Sequence, residues 1–202
     1  KLIPKPEAVW GIVFFFEEKD GAAGFVDMLR SELPEAEDAK IAAVEYMDRR
    51  SMDLIEARKE TMTKIKELPD IEEQIQALVY TELQGSEEGI EVIAESLMEA
   101  AMECGSDPDQ AWALSGETEV EKLHAFRHAA AETANLFIEE QRRKDDRITK
   151  LGTDMVIGEQ TFKELLEQYE EDMNQAGLEG CIFGHALENH LHVNILPEDY
   201  EA

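Results

Sequence analysis

Three of the chain's five histidines, His185, His190 and His192, fall within eight residues, in the run Phe183-Gly184-His185-Ala186-Leu187-Glu188-Asn189-His190-Leu191-His192-Val193-Asn194. If the second half of this run is a strand, alternation puts His190, His192 and Asn194 on one face, with His185 before the bend. Imidazoles converging from a turn and a strand can bind Zn²⁺ or another borderline divalent ion. They can equally be partly exposed histidines at a loop. A three-ligand site would also need a carboxylate, and Glu188 is the one nearby in sequence.

A second constellation lies on the longest helical pattern, Thr118 to about Lys144. Val120, Leu123, Ala130, Ala134 and Phe137 recur at intervals of three and four as an apolar stripe, and the position missing from the series is Arg127. A guanidinium on such a face must meet an anion, because an unpaired buried charge is costly. Its planar fork suits a carboxylate. That carboxylate could belong to a substrate or to one of the chain's own 47 acids, and the pattern leaves both open. His124 and His128, four apart on the same helix, lack the Glu of an HExxH zinc motif and read as helix-surface residues or as residues that support a neighbouring site group from behind. No GxGxxG, P-loop or GxSxG occurs, so any nucleotide cofactor must be held elsewhere.

The elements that position these residues alternate between strand and helix. Val9–Phe16 is an apolar run of strand type, followed by a helix from Asp20 and a second strand over Lys40–Met47. Met52 to about Lys66 reads as a charged helix over the sheet, and Ile75–Leu83 alternates as a half-buried strand. Ser86 is a plausible N-cap for a helix that Gly105 closes. Beyond the short run Ala111–Leu114 and the long helix, a strand over Ile148–Ile157, a helix over Gln160–Gln175 and closing strands Gly180–Gly184 and His190–Leu196 complete the chain. This order predicts an α+β fold, a mostly antiparallel sheet with helices on one face and ferredoxin-like connections.

A length of 202 residues suits one domain. Nineteen Lys and Arg against 47 Asp and Glu give a formal charge of -28, which repels nucleic-acid phosphate and anionic lipid. Cys104 and Cys181 form no metal or CxxC spacing and read as free thiols of a reducing compartment. The absence of an apolar stretch of membrane length argues against direct membrane insertion. The start at Lys1, in an extended Pro4/Pro6 segment, and the end at Pro197 to Ala202 read as the two ends of a piece excised from a longer chain.

Thr153-Asp154-Met155-Val156-Ile157, then an amphipathic helix, then Gly177-Leu178-Glu179-Gly180-Cys181-Ile182-Phe183-Gly184-His185 and Leu191-His192-Val193-Asn194-Ile195 resemble the C-terminal domain of FAD-linked oxidases. That family includes cytochrome-linked D-lactate dehydrogenases, the glycolate oxidase flavin subunit and D-2-hydroxyglutarate dehydrogenase. Val44-Glu45-Tyr46-Met47-Asp48 and an Arg in the long helix agree in order. The chain keeps Gly184, His185, Leu191, His192 and Asn194, but carries Leu187-Glu188-Asn189-His190 where the family has Gly-Asp-Gly-Asn. Gly152 and Gly158 stand where a lysine and a proline are usual, and the family's Glu-His-Gly segment would lie beyond Ala202.

The resemblance implies that the whole chain, 1–202, is one substrate-side domain whose FAD sits on a separate N-terminal domain, leaving this piece inactive alone. It implies that a hydride passes from a small 2-hydroxy acid to the flavin and on to an unidentified electron acceptor. Arg127 would grip the substrate carboxylate, His192 and Asn194 would act in catalysis, and His185 and His192 would share a divalent metal such as Zn²⁺. The enzyme would be cytoplasmic, at most peripheral to a membrane through its acceptor. Two rivals stand beside this reading: a catalytically silent acidic interaction module of the same fold, and a metal hydrolase built on the histidine cluster.

Overall fold

A computed structural model describes residues 5–197; Pro4 and the tail 198–202 lie outside the described residues. Strands β1 (Ala8–Phe16), β2 (Ala39–Asp48), β3 (Ala77–Gly85), β4 (Trp112–Ser115), β5 (Met155–Val156), β6 (Gly180–His185) and β7 (His190–Ile195) form one sheet. Helices α1 (Lys19–Ser31), α2 (Arg49–Glu56), α3 (Glu87–Glu103), α4 (Glu117–Arg142) and α5 (Phe162–Ala176) pack on it. The sheet order is β4-β1-β3-β2-β6-β7-β5, and every neighbouring pair is antiparallel. Its first four strands hold two split β-α-β units, β1-α1-β2 and β3-α3-β4, which is the expected ferredoxin-like connection. No helix among the described residues is long and apolar enough to cross a membrane.

The helices lie on both faces of the sheet, where one face was expected. Ile12, Phe14 and Phe16 of β1 meet α1, α3 and α5, whereas Val13 and Phe15 meet residues of α2 and α4. The reason is visible in β1 itself: five consecutive apolar residues, Ile12 to Phe16, leave neither side polar, and a strand of that kind must be covered twice. Phe14 packs edge-to-face on Phe25 at 5.2 Å and Phe15 does so on Trp112 at 4.8 Å, one on each side. Strand β3 is likewise buried from Ala77 to Leu83 and is not half-buried as its alternation suggested.

Two further expectations change. The charged helix expected from Met52 to Lys66 runs only over Arg49–Glu56, because Asp48 caps it three residues earlier through Ser51. Beyond it, the three-residue spacing of Met62, Ile65 and Leu68 is met by successive turns, Ile65 N to Met62 O and Leu68 N to Ile65 O, that bury Ile65 against α4's side of the sheet. The strand expected over Ile148–Ile157 shrinks to Met155–Val156. Residues 151–153 still follow β7, with Ile195 N donating to Leu151 O and Thr153 N to Val193 O, but around Gly152 the pairing is an isolated bridge to Asn194.

Asp48 joins three elements around the site. One carboxylate oxygen accepts from Ser51 N and Ser51 Oγ at 2.8 and 2.6 Å, and the other from Ile182 N of β6 at 2.9 Å. Burial outweighs these donors and pushes the carboxyl up to about 6. A folded-state value above the unfolded one means that the folded chain binds the extra proton, so this contribution to stability falls as pH rises from about 4 to about 6, by about 3 kcal/mol. Chemical denaturation of Asp48→Asn beside the wild type should therefore show a difference that changes by about that amount across this window. Parallel stability curves would refute it.

Candidate active site

Strand register assembles a polar row on the face covered by α4. Tyr80 of β3 stands opposite Glu45 of β2, Glu45 opposite His185 of β6, and His185 opposite His190 of β7. Alternation adds Glu82, Phe183, His192 and Asn194 to the same face. Four strands thus carry residues far apart in sequence into one strip, on the face that α2 and α4 cover.

Glu45 is the hub of this strip. Its side chain is 6% exposed, and its Oε1 lies 2.7 Å from His185 Nδ1 and 3.3 Å from Arg127 Nη2. Arg127 does not occupy the middle of α4's buried stripe as the spacing suggested. Phe126 does, with Leu123, Ala129 and Ala130, and Arg127 sits on the flank with its side chain 25% exposed. The 26-residue helix follows a stripe offset by one position, which buries the phenyl ring and leaves the guanidinium at the edge. Arg127 therefore has an internal acid partner, but a guanidinium carries five donors and the Glu45 contact occupies one nitrogen.

Beside this pair is a second buried carboxylate. Glu82 accepts from Tyr80 Oη at 3.2 Å and Gln84 Nε2 at 2.6 Å, and meets His124 Nε2 at 2.6 Å. Burial raises its carboxyl, yet the hydrogen bonds from Gln84 and His124 outweigh burial and hold it below the usual range. Burial and the neighbouring Glu82 push the Tyr80 phenol well up, so it remains a donor. His124 thus fastens α4 to the sheet, whereas His128 is exposed on the helix surface.

At the β7 end the three imidazoles of the histidine run stand together, with ring centroids 5.4 Å apart for His185 and His190, 5.0 Å for His190 and His192, and 6.2 Å for His185 and His192. The nearby carboxylate is Asp154, from the segment leading into β5. Glu188 is exposed in the turn between β6 and β7. Asp154 Oδ1 lies 2.5 Å from His190 Nε2 and 3.5 Å from His192 Nδ1. Potential ligand atoms of Asp154, His190 and His192 all fall within 4.8 Å of one another, a set that omits His185. Hydrogen bonding to His190, together with the charge of the histidines, holds the Asp154 carboxyl below its ordinary value.

Asn194 is 4% exposed and, with Thr153, Asp154, Phe183 and His192, lines a cavity of about 490 Å³. Arg127 is not among the cavity's lining residues, although Ala131, one turn along α4, is. Gly152 makes room here, since a Cβ on it would come within 3.0 Å of Asn194 Oδ1. Sequence reasoning passed over Glu45, Tyr80, Glu82 and Asp154 as site residues. The signal available for the first three was a polar residue at an inward position of a strand otherwise buried on both sides.

Residues 6–201 match the family described as FAD linked oxidases, C-terminal domain. No curated protein sequence matches the chain. Solved structures of similar fold include an alkyldihydroxyacetonephosphate synthase (12% identity, TM-score 0.59, covering 98% of this chain and 38% of that one). A 4-ethylphenol oxidase from Gulosibacter chungangensis in complex with isoeugenol is also similar (16%, 0.58, 98% and 40%), as is a p-cresol methylhydroxylase with substrate bound (13%, 0.58, 97% and 40%). The chain therefore spans about two-fifths of the length of those proteins.

Proposed function

Because the chain belongs to the family of C-terminal domains of FAD-linked oxidases, we propose that it is the substrate-facing side of a flavin-dependent oxidoreductase acting on a small 2-hydroxy acid, of the D-lactate or glycolate kind. FAD, held chiefly by a separate N-terminal domain, accepts the hydride from the carbon bearing the hydroxyl. This chain's residues bind and orient the acid and take the hydroxyl proton, so that a 2-oxo acid remains.

The observation that carries the substrate class is Arg127, a half-open guanidinium at the edge of a strip of imidazoles and carboxylates, only one of whose nitrogens meets Glu45. A carboxylate can use the remaining donors as a fork, and a neutral phenol or alcohol cannot. In this reading His192 receives the hydroxyl proton, and Asn194, lining the same cavity, orients the oxygen. The expected whole protein is cytoplasmic and hands its electrons to a separate acceptor.

Reduction of the complete flavoprotein, followed at the flavin absorbance, tests this. 2-Hydroxy acids should reduce it, while their methyl esters and 4-alkylphenols should be at least tenfold poorer in kcat/KM, in line with the loss of a charge-assisted contact. Esters as good as acids, or a preference for phenols, would end the 2-hydroxy-acid reading.

A further inference from the structure

We propose that a cavity at the far end of the sheet from the histidines binds a small monocarboxylate through Arg50. Strand β6 runs from Gly180 to His185 at about 3.4 Å per residue, so its first residue lies about 17 Å from His185. There a cavity of about 400 Å³ opens between the start of α2, the end of α5 and residues 178–180, and Arg50 lines it. Among the described residues Arg50 is the one part-buried Lys or Arg with neither a hydrogen bond nor an ion pair. Arg30, Arg49, Arg58 and Arg127, part-buried as well, each meet a carboxylate. In a chain with 47 acids, a half-buried guanidinium left without one is a vacancy for an anion, because its desolvation is uncompensated.

The other charges around the cavity are already matched. Glu170 holds Lys19, and Asp53 holds Arg49 at 2.6 Å, while the backbone oxygens of Glu72 and Ile75 take Arg49 Nη1. Asp48 accepts from Ser51 N and Ile182 N, and Glu179 is exposed. With Arg50, three cations thus face four acids, a balance close enough to neutral to admit one negative charge opposite Arg50 and unfavourable to a phosphate dianion.

The remaining wall describes the body of the ligand. Met173 and Leu178 are apolar, and Gly180 lets Met173 close in, since a Cβ there would stand 2.8 Å from Met173 Sδ. Gln76 and Asn174 bring amides that can bond a further oxygen. A monocarboxylate with a short apolar body satisfies the guanidinium fork and this wall together.

The probe is isobutyrate, with isobutyramide as its uncharged counterpart, added to this chain without flavin at constant ionic strength. The Arg50 Nε–H NMR signal, assigned by its loss in Arg50→Gln, should shift with isobutyrate, saturate with a Kd of about 1 mM and stay still with the amide. Read at the Leu178 methyl signals, Arg50→Gln should weaken binding at least tenfold. Arg127→Ala should leave it within about twofold, which separates this site from the role of Arg127 and from the 2-hydroxy-acid reading. Without ligand, Arg50→Gln should melt no lower than the unaltered chain, since no internal bond is lost. An equal response to the amide, unchanged affinity in Arg50→Gln, the absence of saturation, or a ligand-free Arg50→Gln that melts several degrees lower would overturn the proposal.

Discussion

Arg127→Ala in the complete flavoprotein should lower kcat/KM for 2-hydroxy acids about 100-fold, with the loss shared by every carboxylate substrate. A charge-assisted contact contributes about 1.5–3 kcal/mol, and its upper range corresponds to that factor. Arg127→Lys should fall in between, since an ammonium supplies the charge without the parallel pair of donors. The substitution also touches stability, because Glu45 loses the guanidinium beside it while its own side chain stays 6% exposed. Arg127 is itself 25% exposed and Glu45 keeps its contact with His185 at 2.7 Å, so about 1–2 kcal/mol is expected, below the cost of breaking a fully buried pair. The double variant Arg127→Ala/Glu45→Gln separates the roles. It should recover the melting temperature and stay inactive. Recovery of turnover along with stability would make Arg127 merely the partner of Glu45.

The second large effect is at Gly184, the residue before His185 in β6. Its φ is +142°, a region that side-chain-bearing residues rarely enter, and a Cβ there would stand 2.6 Å from His190 O and 3.2 Å from Leu191 Cα. Both contacts are backbone, so β7 itself would have to move. Strain and overpacking together make Gly184→Ala about 3 kcal/mol less stable, roughly a 10 °C drop in Tm for a chain of this size. Gly158→Ala is the control, since a Cβ there meets nothing within 4 Å. Equal melting temperatures for the two variants would contradict the argument.

The fold was legible wherever local pattern and tertiary packing agree. β1, α1, β2, α3, α4, β6 and β7 begin and end within a few residues of their sequence signals, and Ser86 caps α3 through Gly89 N as expected. Reading failed where one period served another purpose. The threefold spacing of Met62, Ile65 and Leu68 belongs to turns, and the expected strand Ile148–Ile157 is largely an irregular segment along an exposed edge, with Leu151 61% and Val156 63% exposed. On α4 the alanines fit two adjacent stripes equally well, so periodicity could not distinguish Phe126 from Arg127 as the central residue.

The site was legible within a segment and illegible across segments. The histidines and Asn194 share one short run, so alternation alone gathers most of them. Asp154 and Glu45 reach that run only through the register of β5 on β7 and β2 on β6, which no spacing along the chain encodes. The nearest carboxylate in sequence, Glu188, stands exposed in the turn, whereas the one beside the imidazoles is Asp154. Tyr80 and Glu82 of β3 were visible as one side of an alternating strand, and only the roof formed by α4 turns that side into an interior.

The two-residue length of β5 has a bearing on how the domain breathes. Backbone amides of β1, β3 and β2, covered on both sides, can exchange with solvent only when the domain opens as a whole, whereas a short edge strand such as β5 detaches in local, low-energy openings. Asp154 travels with that edge. Whatever binds between it and β7 meets a receptor that is assembled only while the edge is seated, and its apparent affinity is lowered by the fraction of time the edge is away. A ligand held there would in turn slow exchange along 153–157 while leaving the central strands untouched, so the outermost strand becomes the reporter of occupancy.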